Sequence, residues 1–168
     1  MTKAVREMVV ESVRVHMLSS QHVVILREVE AERYLPIWIG SWEAQSIAMK
    51  LQGVEAERPL THDLLASILE ELGAGVRHIL VSDLADETFR ARIILVQGGS
   101  DFEIDARPSD AIALALRYQA PIFVDDKVLD KTDASGKDVE VADTSEEGQK
   151  WAEYLETLTT DDFGKYKV

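Results

Sequence analysis

The strongest constraint in the sequence is the run Ala111-Ile112-Ala113-Leu114-Ala115-Leu116, six apolar residues in a row directly after Arg107-Pro108-Ser109-Asp110. Pro108 suits the first turn of a helix and Asp110 complements a helix N-terminus, so the run predicts a helix starting here. A helix that is apolar on every side is stable only when other elements surround it. The rest of the 168-residue chain must therefore supply that cover, and its length suits one hydrophobic core.

The cover reads mostly as strands. Val13, Val15 and Met17 alternate with Ser12, Arg14 and His16, and the Ser19-Ser20-Gln21 turn leads into His22 to Leu26, which predicts a hairpin. A third strand follows at Tyr34 to Ile39, where Pro36 lacks a donor and belongs at an edge or bulge. Val76 to Leu84, Phe89 to Gln97 and Asp101 to Ala106 predict an antiparallel meander, and Pro121 to Val124 a short last strand. Two amphipathic helices are predicted besides the buried one. Ala44, Ile47, Ala48 and Leu51 repeat at helical spacing over about 42–52, with Ser41 as cap; Leu64, Leu65, Ile68, Leu69 and Leu72 do so between Thr61 as cap and Gly73 as stop. The expected class is α+β, a mostly antiparallel sheet packed with about three helices, plus a C-terminal helix. The expected organisation is a domain over 1–130, an acidic linker over 131–148, and a tail over 149–168. Within that tail Trp151, Tyr154, Leu155 and Leu158 form an apolar stripe that docks on this subunit or on a neighbour.

Composition narrows the chemistry. The absence of cysteine excludes disulfides, thiolate zinc sites and cysteine nucleophiles, so a metal would rest on carboxylates or on the four histidines. No apolar run reaches the length of a membrane span and the N-terminus lacks a signal-peptide pattern, which predicts a cytoplasmic protein without membrane partners. The net charge of −13 opposes nucleic acid, so phosphate binding would need local arginines such as Arg33, Arg90 and Arg92. No P-loop, GxGxxG, HExxH or GxSxG motif is present.

Three stretches concentrate polar chemistry. In Ile104 to Asp110, a strand end and a helix start bring together Asp105, Arg107, Ser109 and Asp110. Arg107 could grip a phosphate, Asp105 and Asp110 hold a cation or activate water, and Ser109 orient a substrate; the same residues also make an ordinary helix cap. In Arg58 to Asp63, His62 is the one histidine beside a carboxylate, a candidate general acid or base oriented by Asp63 or by a carboxylate across the fold. In Trp38 to Glu43, Glu43 opens a helix between two tryptophans; Trp38 reads as core, Trp42 as interface, and stacking on a base as the functional alternative. His16, His22 and His78 read as structural or solvent-facing.

The runs RYLPIWIGSWEAQSIAMKLQG, RPLTHDLLASILEELG and IDARPSDAIALALRYQAPIFV, in this order, resemble the bifunctional nuclease domain family over about residues 8–130. The resemblance implies DNase and RNase activity, nucleic acid as partner, and a homo-oligomer, with a dimer favoured. The positions it marks are Glu43, His62, Asp63, Asp105, Arg107, Ser109 and Asp110. The expected enzyme is a nuclease of low sequence specificity. In it a divalent ion (Mg or Mn) sits on Asp105 and Asp110, His62 moves a proton, and Arg58 and Arg107 stabilise the charged phosphate. The alternative is a non-catalytic oligomeric module that binds a small anion or a protein partner in the same cleft.

Overall fold

The computed structural model describes residues 4–16 and 19–134. Seven strands, β1 (Val5–His16), β2 (Gln21–Glu28), β3 (Tyr34–Ile39), β4 (Ala74–Ala85), β5 (Thr88–Gln97), β6 (Ser100–Ala106) and β7 (Ile122–Asp125), form one sheet in the order β3-β2-β1-β7-β4-β5-β6. Every neighbouring pair is antiparallel except β4 with β7, so the fold is α+β with a mostly antiparallel sheet. Pro36 lies on β3 at the sheet edge, where its missing donor costs no ladder bond.

The helices are α1 (Ser41–Leu51), α2 (Thr61–Glu71), α3 (Pro108–Tyr118) and α4 (Asp126–Ala134). The apolar run falls in α3, where Ala111 to Ala115 are all buried against Ile79, Val81, Ala91, Ile93 and Val124 of the sheet and Ile47 of α1. Two capping expectations shift by one residue. Gly40, not Ser41, precedes α1, and Leu60, not Thr61, precedes α2, because Asp63 at the third helical position accepts the Leu60 N–H at 3.0 Å. Gly53 and Gly73 end these two helices at positive φ, which glycine adopts without a Cβ clash.

Two elements exceed the sequence reading. β1 begins at Val5, and its first residues pair with β7, which a single hairpin does not require. Residues 126–134 form a helix that runs past the expected boundary at 130; its Val128 and Leu129 are fully buried, and Asp125 accepts the Lys127 N–H at 3.0 Å. Two apolar residues suffice to dock this polar helix, too few for a periodic signal. The predicted helix at 149–163 lies outside the described residues. Among the described residues, no helix is long and apolar enough to cross a membrane.

Register decides which strand residues can meet the helices. Ile93 pairs with Ile104 and Leu95 with Phe102, so Ile104 and Phe102 share the helix-bearing face, and Asp101, Glu103 and Asp105 point to the other. Trp38 pairs with Val23 while Ile37 pairs with the core residue Val24, so Trp38 also points away from the helices and is half exposed rather than in the core.

Packing of α3 sets a clear expectation for stability. Ile112→Ala, at a fully buried position, should cost about 3 kcal/mol in denaturant unfolding, whereas Ile104→Ala on the half-exposed edge should cost below about 1 kcal/mol.

Candidate active site

Three helix segments meet at His62. It is the one buried residue of α2, and both of its ring nitrogens are engaged across the fold: Nε2 lies 2.9 Å from Asp110 Oδ1 on α3, and Nδ1 lies 2.7 Å from Ser46 Oγ on α1. The orienting carboxylate is thus Asp110, 48 residues away, and not the adjacent Asp63. Asp63 instead accepts from Arg117 Nε at 2.7 Å; Arg117 also donates to Ser46 Oγ at 3.0 Å and to the Ala113 carbonyl at 2.8 Å.

These bonds assign the protons. Arg117 can only donate, so the Ser46 oxygen accepts from it and its own hydrogen is free to reach His62 Nδ1. The ionised Asp110 carboxylate can only accept, so Nε2 carries a proton and donates it to Asp110. The chain of bonds Arg117 to Ser46 to His62 to Asp110 leaves none of these side chains without a partner.

Asp110 is where this buried chain reaches solvent. Its second oxygen accepts from Arg107 Nε at 2.9 Å, and Arg107 Nη2 donates to Glu43 Oε1 at 2.7 Å. Burial pushes the Asp110 carboxyl up, but the bonds from His62 and Arg107 outweigh it and hold the group below its ordinary value. Its bonds to Asp110 and Glu43 hold the Arg107 guanidinium above its usual value. Gly40 makes room for this arrangement: a Cβ there would run into the Glu43 carboxylate. Glu43, Ser46, His62, Arg107 and Asp110, with Trp42 and the Pro59 to Thr61 turn, line a cleft of about 480 Å³.

Of the expected site residues, Glu43, His62, Arg107 and Asp110 converge on one cleft. Ser109, also buried, lines a second cavity that shares Arg107. Asp63 braces Arg117 behind the cleft, and Arg58 is exposed on the loop before α2. Asp105 does not join them. It points to the helix-free face, 3.7 Å from Arg92, because the alternation of β6 places it opposite Ile104 and Ala106. The expected ion therefore finds no fit on Asp105 and Asp110. Among the described residues no group of three or more His, Asp or Glu could hold a metal, and Arg107 already supplies the positive charge between Glu43 and Asp110.

Ser46 and Arg117 are the site residues that sequence reasoning missed. Each carried a faint signal: Ser46 interrupts the buried face of α1 between Ala44 and Ile47, and Arg117 is the one charge directly after the apolar run.

A family model described as the bifunctional nuclease domain matches residues 24–137. An uncharacterized protein of Mycobacterium tuberculosis is 40% identical over 162 residues, covering 94% of this chain and 97% of that protein. Bifunctional nuclease 1 of Oryza sativa is 25% identical over 111 residues, 64% of this chain and 34% of its own length. Bifunctional nuclease 1 of Arabidopsis thaliana is 29% identical over 93 residues, 54% of this chain and 29% of its own length. The matched segment contains every residue of the cleft.

A carboxyl held low in the folded state stabilises the fold above its ordinary value near pH 4 and loses that contribution as pH falls through its lowered folded value. The stability difference between the natural chain and Asp110→Asn should accordingly be largest near neutral pH and shrink on acidification. Chemical denaturation from pH 3 to 7 measures it.

Proposed function

Because the chain belongs to the bifunctional nuclease domain family, we propose that it hydrolyses phosphodiester bonds of DNA and RNA with low sequence specificity, in the cleft where Arg107 and Asp110 meet. The observation that carries this reading is the placement of one exposed guanidinium and one ionised carboxylate at the start of α3, backed by a buried and fully hydrogen-bonded histidine.

The substrate phosphate competes for Arg107. Two-thirds of the Arg107 side chain is exposed, and the first-turn amides of α3 add donors with the favourable sign of the helix dipole. When a phosphate takes the guanidinium, Asp110 Oδ2 is released while Oδ1 stays on His62. The freed oxygen accepts the proton of an attacking water as the new P–O bond forms; the bond to the leaving alkoxide breaks, and solvent protonates that oxygen. Arg107 offsets the extra charge on the phosphoryl oxygens at the transition state. His62 and, behind it, Ser46, Arg117 and Asp63 are positioning residues. No step passes through a divalent ion.

A cleavage assay on single- and double-stranded DNA and RNA tests the reading, with Mg²⁺, Mn²⁺ or EDTA, beside Asp110→Asn purified identically. The expected result is cleavage that persists in EDTA and falls about 100-fold or more in the variant, the scale of a lost general base. Equal cleavage by both proteins would overturn the assignment. Binding without cleavage by the natural chain would favour a non-catalytic anion-binding module.

A further inference from the structure

We propose that a second cavity, which shares Arg107 with the cleft, is a nucleobase pocket, so that the substrate enters as a single strand with one base turned into the protein beside the bound phosphate. The inference rests on the nuclease reading of the cleft and names the form of nucleic acid that fits it.

The cavity measures about 370 Å³, within the range of small-molecule sites. It forms because the twisted sheet brings two distant corners together at the start of α3: the Gln21 to His22 and Ile39 to Gly40 ends of β2 and β3, and the Glu87 to Phe89 turn of β4 and β5. Its walls suit a flat heteroaromatic ring. The side chains of His22, Ile39 and Phe89 are apolar or planar and half-buried, and burial lowers the His22 pKa, which favours the neutral ring at pH 7. Gln21 and Thr88 offer donors and acceptors for base edges, and Glu87, which also lines the cavity, suits an exocyclic amino group.

Ser109 adds a polar contact at the floor of the cavity. It is 5% exposed, lines the cavity, and its hydroxyl makes no hydrogen bond to any described residue. The hydroxyl is not closed off from solvent, so it is open to a ligand that enters the cavity. Arg107, Pro108 and Ser109 line this cavity at the same helix start where the phosphate is proposed to bind. A paired and stacked base cannot enter such a pocket without leaving the duplex, so the geometry selects single strands or frayed ends.

Calorimetric titration of the full chain with a nucleoside 5′-monophosphate, ribose 5-phosphate and inorganic phosphate tests the pocket. The expected result is about tenfold tighter binding of the nucleotide than of the ribose phosphate, the scale of one base stacked on an aromatic ring. Thr88→Trp, which places an indole at the exposed start of β5 against the cavity, should remove that advantage and leave the phosphate affinity unchanged. Phe89→Leu, which keeps volume but not the flat ring, should reduce it, and melting curves confirm that both variants fold. Equal affinity for all three ligands, or an advantage untouched by both variants, would overturn the pocket. DNA cleavage measured on the same samples separates the two readings: cleavage without a base advantage removes the pocket alone, and a base advantage without cleavage removes the nuclease reading and keeps the pocket.

Discussion

A buried imidazole needs a partner for each nitrogen, and in this chain that requirement ties three helices into one arrangement. His62 takes Ser46 from α1 and Asp110 from α3, while Arg117 closes the loop by holding both Ser46 and Asp63. Leaving any member unpaired would cost about 1–3 kcal/mol for a neutral group and more for a charge, so the helices have little freedom to slide past one another. The hydrophobic core stabilises the fold, but apolar packing is tolerant of small shifts. The polar chain fixes where the start of α3 stands.

That fixed point gives the cleft its chemistry. Arg107 would swing freely at the surface if Glu43 and Asp110 were not both held within reach. Held as it is, the guanidinium waits between two carboxylates that are good enough partners to position it and exposed enough for a phosphate to displace. The same carboxylates explain how a chain of net charge −13 can present a usable cation: the acidic surface is a general property, and the site is a local exception. Affinity for nucleic acid resting on so few cations should be modest and sensitive to salt.

Much of the fold was legible because local pattern and tertiary role agree in it. The run Ala111 to Leu116 announces a surrounded helix and becomes the centre of the core; Gly53 and Gly73 end their helices where the periodicity stops. The site was legible as two polar helix starts, since capping chemistry marks them even without function. What the sequence could not show is pairing between distant residues. Asp63 sits beside His62 in sequence but on a different side of α2, so the nearer carboxylate serves Arg117 and the distant one serves the histidine. Asp105 looked like a companion of Asp110, yet one residue of strand alternation turns it to the opposite face. The helix at 126–134 was hidden because, among its described side chains, only Val128 and Leu129 are buried.

The central claim is that His62 is locked in one orientation, with Nε2 donating its proton to Asp110 and Nδ1 facing the Ser46 hydroxyl. Long-range ¹H–¹⁵N correlation spectra of the histidine rings near pH 7.5, assigned with His62→Gln, read this tautomer directly. The account predicts a proton held on Nε2 of His62, retained in Asp105→Asn and lost to a tautomer mixture in Asp110→Ala. A Nδ1-protonated ring, or the tautomer mixture of a free imidazole in the natural chain, would contradict it.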